Sequence, residues 1–190
     1  MFSKFFAPRP KVPIQRRVPA GTRVYAIGDI HGRVDLLHQL HRMIEEDSGD
    51  AGDHRRVAVY LGDYVDRGSS SREVIDLLLD QPLRGFHSVY LSGNHEEMML
   101  TFLDDASVGP MWMYNGGDAT LLSYGVRHGD AATAEERQRN MQKSLWDGLP
   151  DRHFDFFRSL RITHQEGDYL FVHAGIMPGE SKILSTGLKF

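Results

Sequence analysis

The chain has 190 residues, a formal net charge of -4, and 25% charged against 41% hydrophobic residues, which is the make-up of one ordinary globular domain. It contains no cysteine, so disulfides, thiolate metal sites, iron–sulfur clusters and a cysteine nucleophile are excluded. No apolar run approaches the ~20 residues of a membrane span, and the charge balance provides no global basic field, so specific nucleic-acid binding is not expected.

Residues 1–20 read as a basic, proline-rich arm. Lys4, Arg9, Lys11, Arg16 and Arg17 have no acidic counterpart there, and Pro8, Pro10, Pro13 and Pro19 oppose a helix. The arm lacks the apolar core of a secretory signal. It reads as a loose extension, with a membrane-surface or partner contact as the alternative.

From residue 21 onward strand and helix alternate. Val24–Ile27 is a short apolar run ending at a glycine, as a buried strand does, and Val34, Leu37, Leu40, Met43 and Ile44 follow at helical spacing. Arg56–Leu61 is a second strand, and Ser71–Asp80 a helix with Ser69, Ser70 or Ser71 as its cap. Ser88–Leu91 is a third strand and Glu96–Leu103 a helix. Residues 108–160 carry no strand signal and read as a helical insertion, interrupted at Gly116-Gly117 and with its last helix starting at Pro150. Ile162–His164 and Tyr169–Val172 form a hairpin about Gly167-Asp168. The pattern predicts an α/β fold, a mostly parallel sheet with helices on its faces that ends in an antiparallel hairpin.

Each strand runs into a polar cluster: Gly28-Asp29-Ile30-His31-Gly32, Gly62-Asp63-Tyr64-Val65-Asp66-Arg67-Gly68, Gly93-Asn94-His95-Glu96 and His173-Ala174-Gly175. Ligands of open α/β sheets bind beyond the carboxyl ends of the strands, so the clusters should converge. Their carboxylates, imidazoles and amide oxygen suit a divalent ion such as Mn²⁺, Fe²⁺ or Zn²⁺. Asp29 and His31, two apart on an extended segment, would grip one ion. Asp63 could bridge two ions, with Asn94 and His173 supplying the second site. Alone, an Asp-x-His after a strand reads as a capped turn; four such clusters in order do not. There is no Gly-Lys pair for a phosphate loop, no G-x-G and no G-x-S-x-G.

The runs GDIHG, GDYVDRG, GNHE and HAG resemble the phosphoprotein phosphatase branch of the calcineurin-like metallophosphoesterases, over about Val24 to Pro178. Trp112, Asn115-Gly116-Gly117-Asp118 and Leu121–Tyr124 are similar to bacterial and phage members, among them protein phosphatases and symmetrical diadenosine tetraphosphatases. The resemblance implies a calcineurin-like β-sandwich flanked by helices, formed by residues 21–178 and located in the cytoplasm. It implies two divalent ions, Mn²⁺ first with Fe or Zn as alternatives. Asp29, His31 and Asp63 would hold one ion, and Asp63, Asn94 and His173 the other. A hydroxide bridging them would attack phosphorus in line. His95 would protonate the leaving oxygen, Asp66 would orient His95 and raise its basicity, and Arg67, Asn94 and His95 would bind phosphate. The substrate would be a phosphoserine or phosphothreonine protein, with a dinucleoside polyphosphate as the alternative.

The resemblance also leads one to expect a further Gly-His ligand, a second phosphate-binding arginine and closing strands. Residues 179–190 read as an atypical tail with neither histidine nor arginine, and the second sheet is expected to be incomplete. A metal-binding pseudophosphatase is therefore a further alternative. His87, His128, His153 and His164 read as ordinary surface or core residues rather than substitute ligands.

Overall fold

The computed structural model describes residues 15–49, 52, 54–127 and 129–175; the greater part of the expected arm, residues 1–14, and the expected tail, residues 179–190, lie outside them, as does His128. Three parallel strands, β1 (Thr22–Ile27), β2 (Arg55–Tyr60) and β3 (Phe86–Tyr90), form one sheet in the order β1-β2-β3. Val24 pairs with Val57, and Val59 with Val89. The connections are α1 (Val34–Gly49) and α2 (Ser71–Asp80), and β3 leads into α3 (Asn94–Asp104).

The central strand β2 shows why an unbroken apolar run is needed. Successive side chains of a strand point to opposite faces. Ala58 and Tyr60 join the main core with α1, α2 and α3, while Val57 and Val59 face a smaller core with Val89, Leu91 and Phe171. All four β2 residues are fully buried, and each valine contributes roughly 1.5–3 kcal/mol by leaving water. α1 buries Leu37, His41, Ile44 and Ser48, one stripe of an amphipathic helix.

Residues 108–160, in which the sequence carries no strand signal, are largely helical. A short 3₁₀ turn (Ala106–Val108) is followed by α4 (Gly109–Tyr114), α5 (Gly117–Ser123), α6 (Ala134–Gly148) and α7 (Asp151–Ser159), with the break between α4 and α5 at Asn115-Gly116 and Pro150 at the N-cap of α7. Strands β4 (Thr163–Glu166) and β5 (Tyr169–Val172) form the antiparallel hairpin about Gly167-Asp168. Among the described residues this second sheet has two strands. It lies against the valine face of the first sheet through Phe171, and its turn is tied to Arg17, whose carbonyl accepts from the Asp168 N–H at 3.0 Å.

One local expectation is refined and another is corrected. Ser70 is the N-cap residue of α2 but makes no side-chain cap bond, and the Ser71 hydroxyl is turned inward to Asp66 and Thr120 instead. α3 begins at Asn94, two residues before the expected start, so Asn94 and His95 lie in its first turn rather than in the loop. Glu96 causes this: its carboxylate accepts from the Gly93 N–H at 2.9 Å, closing the first turn from below.

Two histidines of the core make stability depend on pH. His41 Nε2 lies 2.8 Å from the Tyr60 hydroxyl, and His153 lies between the Tyr124 hydroxyl and Asp76 at 3.0 Å from each. Burial lowers both from the ordinary value of 6.5, against the opposing pull of Glu45 on His41 and of Asp76 on His153. Below 6.5 the unfolded chain therefore binds more protons than the fold. Their contribution is present above that value and is lost as the pH falls towards and through the lower folded values. The urea midpoint of metal-free protein should drop between pH 7.5 and pH 5.5, and the drop should shrink in a His41→Gln/His153→Gln variant. An unchanged slope in that variant contradicts the assignment.

Candidate metal centre

The four polar clusters meet at the carboxyl edge of the parallel sheet. The loops after β1 and β2 are held together by backbone bonds: the N–H groups of Ile30 and His31 both donate to the Asp63 carbonyl at 2.9 Å, and Gly32 N–H donates to the Tyr64 carbonyl at 2.9 Å. The backbone of these loops is left-handed at His31 (φ 45°), Asp63 (φ 55°), Asp66 (φ 72°) and Arg67 (φ 67°). Among the described residues these four are the non-glycine positions with positive φ. Such conformations cost on the order of 1–3 kcal/mol each and collect where function requires them. The extended segment expected over Asp29–His31 is thereby corrected: His31 sits in a turn. Its Nε2 still lies 3.8 Å from Asp29 Oδ2.

Asp63 is the hub. Its Oδ2 lies 3.7 Å from His31 Nε2, 3.4 Å from His173 Nε2 and 3.9 Å from His95 Nε2. His173 Nε2 is also 3.1 Å from Asn94 Oδ1. Two triads have ligand atoms within 4.8 Å of one another, His31–Asp63–His95 and Asp29–Asp63–His173, and both contain Asp63. All five expected ligands thus come together. His95, expected as a proton donor, also faces the hub, at 3.9 Å.

The histidines are oriented by their second ring nitrogen. His31 Nδ1 lies 2.8 Å from the Val65 carbonyl and His173 Nδ1 lies 2.9 Å from the Leu61 carbonyl. A carbonyl can only accept, so each Nδ1 carries a proton, and in the neutral ring this leaves the Nε2 lone pair facing the cluster, the arrangement that metal-ligating histidines adopt. The donor set therefore fits a divalent ion on its chemistry: carboxylate, imidazole and amide oxygen around one shared carboxylate.

His95 is handled differently. Its Nδ1 lies 2.7 Å from Asp66 Oδ2, with both side chains buried. Burial pushes the Asp66 carboxyl above its ordinary value, opposed by hydrogen bonds from Thr120, His95 and Trp112. Arg67 spans the cluster, with one terminal nitrogen 2.8 Å from His31 Nε2 and the other 3.1 Å from His95 Nε2. His87 is exposed, His153 belongs to the core, and His164 pairs with Glu166 at 3.4 Å, so none of the three joins the site.

Glu96 has a part that its motif alone did not reveal. Its fully buried carboxylate accepts from the N–H groups of Asp63 (2.8 Å), Tyr64 (2.7 Å), Val65 (3.3 Å) and Gly93 (2.9 Å). Burial pushes its carboxyl up to about 7 even so. A glutamate three residues into a helix, reaching back to the cap, was the available signal. Glu96→Ala strands these N–H groups in the core and should cost at least ~3 kcal/mol in urea unfolding. A loss within ~0.5 kcal/mol, as for an ordinary surface change, would refute the role.

Residues 22–185 match the calcineurin-like phosphoesterase family model, and the chain belongs to that family. The family uses a dinuclear divalent metal centre, and the two triads are its candidate ligand groups here. Over 96 residues, 50% of this chain and 38% of the relative, it is 38% identical to serine/threonine-protein phosphatase 2 of Escherichia coli (strain K12). Over 161 residues, 82% of this chain and 39% of the relative, it is 29% identical to the symmetrical bis(5'-nucleosyl)-tetraphosphatase of Xanthomonas campestris pv. campestris. A symmetrical bis(5'-nucleosyl)-tetraphosphatase of Aromatoleum aromaticum is 27% identical over 156 residues, 82% of this chain and 45% of the relative. The chain spans less than half the length of these curated relatives. Among the described residues, no helix is long and apolar enough to cross a membrane.

Proposed function

We propose that the chain is a dinuclear metal-dependent phosphoesterase that hydrolyses phosphomonoesters, with phosphoserine or phosphothreonine proteins as its substrate class. The observation that carries this reading is the convergence of Asp29, His31, Asp63, Asn94 and His173 on one spot, with Asp63 Oδ2 3.7 Å from His31 Nε2 and 3.4 Å from His173 Nε2. Asp29, His31 and Asp63 would hold one ion and Asp63, Asn94 and His173 the other, with Mn²⁺ the first choice and Fe or Zn the alternatives. When bound, such a pair polarises a phosphoryl group and supplies a strong oxygen nucleophile near neutral pH.

The rest is done by the chain's own side chains. Arg67 presents two donors towards the cluster, a geometry suited to the equatorial oxygens of a phosphoryl group. Asn94 and His95 flank the same position and assist in binding it. With Arg67 engaged on the phosphate, the His95 ring protonated on both nitrogens would give its Nε2 proton to the ester oxygen as the P–O bond breaks, so that the leaving group departs as an alcohol and the ring keeps its Nδ1 proton. Asp66 keeps the imidazole oriented from behind.

A second reading, hydrolysis of symmetrical dinucleoside tetraphosphates, is supported by relatives that align over 82% of this chain. Incubation in Mn²⁺ with a phosphoserine peptide, p-nitrophenyl phosphate and diadenosine tetraphosphate separates the two. Release of inorganic phosphate from the peptide is expected. Release of adenosine diphosphate, with the peptide untouched, selects the second reading. Two bound ions without turnover of any of the three contradicts both and selects the pseudophosphatase.

A further inference from the structure

The segment Trp112…Asn115-Gly116-Gly117-Asp118 stands out in the sequence, and neither ligand set uses it. The structure shows where it goes. Trp112 on α4 and Thr120 on α5 are both fully buried. The Trp112 indole N–H donates to Asp66 Oδ2 at 2.9 Å, and the Thr120 hydroxyl donates to Asp66 Oδ1 at 2.7 Å. The Thr120 oxygen also accepts the Asp66 backbone N–H at 2.8 Å and lies 3.0 Å from the Ser71 hydroxyl. Asp66 Oδ2 is the oxygen that faces His95 Nδ1 at 2.7 Å. Each oxygen of a fully buried carboxylate is thus tied down by the insertion, leaving the His95 contact as its remaining direction.

The glycines make this approach fit. Gly116 has φ 102°, and its carbonyl accepts the Arg67 N–H at 3.0 Å. A β-carbon at Gly116 would meet Arg67 N at 2.8 Å, and one at Gly117 would meet the Trp112 ring at 2.5 Å. One short stretch of the insertion therefore docks on the Asp66-Arg67 step, where the backbone is left-handed at both residues.

We propose that Trp112 and Thr120 are positioning residues for the proton donor: α4 and α5 lock the Asp66 carboxylate so that the doubly protonated His95 ring keeps its Nδ1–H on Asp66 and aims its Nε2–H at the ester oxygen. A carboxylate free to rotate would let the imidazole swing or take the other tautomer, and correct tautomer and aim are what an orienting carboxylate provides. This rests on the phosphoesterase reading for its kinetic consequence, and on the hydrogen bonds alone for its structural one.

Thr120→Val keeps the shape and removes the hydroxyl; Thr120→Ser restores it. With Mn²⁺ present, Thr120→Val should lower kcat for phenyl phosphate by about 10–100-fold, the range seen when a supporting hydrogen bond is lost. It should lower kcat for p-nitrophenyl phosphate, whose leaving group needs less protonation, by clearly less, with KM unchanged for both esters and Thr120→Ser close to the parent. A separate readout needs no turnover. The far-downfield proton line of His95 Nδ1–H, identified by its loss in His95→Gln, should move or broaden in Thr120→Val and return in Thr120→Ser. If Thr120→Val does not fold, Trp112→Phe carries the same comparison. Equal losses on the two esters, or an unmoved proton line, would overturn the proposal. Absence of turnover in the parent protein would instead count against the phosphoesterase reading, and the proton line would still decide the positioning role.

Discussion

Asp63→Asn is expected to abolish turnover and to cost the protein both ions at once. Asp63 Oδ2 is within 3.9 Å of the Nε2 atoms of His31, His95 and His173, and it belongs to both triads. An amide keeps the size but removes the negative charge on which two cations would lean. Removing one preorganised stabiliser typically costs about 10²–10³ in rate; the loss of a shared one should reach about 10³-fold or more. The fold should survive, because Asp63 is held mainly through its backbone: its N–H to Glu96 at 2.8 Å and its carbonyl to Ile30 and His31 at 2.9 Å. Metal content after dialysis and p-nitrophenyl phosphate turnover check this together. Retention of two ions with turnover within about tenfold of the parent would show that Asp63 bridges nothing, since even one lost stabiliser exceeds that.

His95→Gln is the second large effect. The side chain is almost wholly buried at the cluster, with Nδ1 on Asp66 at 2.7 Å and Nε2 turned inwards. General-acid help is worth roughly 10²–10⁴ in rate. It matters most when the departing oxygen is a strong base. The variant should therefore lose roughly 10²–10⁴-fold on phenyl phosphate and distinctly less on the nitrophenyl ester. The same loss on both would assign His95 to binding, a role that its closeness to Asp63 and His31 also permits.

The parallel strands were legible because each is a short run rich in apolar residues that gives way to a glycine-led polar cluster, and the site was legible because its ligands stand in those clusters. Sequence order sufficed to place Asp29, Asp63, Asn94 and His173 at one edge. The local geometry was not legible. Left-handed backbone at His31, Asp63, Asp66 and Arg67 accompanies hydrogen bonds between loops distant in sequence, which no single segment encodes. The partners of Asp66 were hidden for the same reason: Trp112 lies 46 residues away and Thr120 lies 54 away, and a buried threonine in a helix looks like any other. Ser69, Ser70 or Ser71 was read as the cap of α2; Ser70 takes that position, while tertiary bonds to Asp66 and Thr120 claim the Ser71 hydroxyl.

The central claim is that one carboxylate serves two cations. Its most direct test is a crystal structure of the Mn²⁺-loaded protein with anomalous scattering recorded at the manganese edge. Two anomalous peaks are expected, one beside Asp29 and His31, the other beside Asn94 and His173, with Asp63 touching both. A single peak, or manganese found only away from Asp63, would contradict the account.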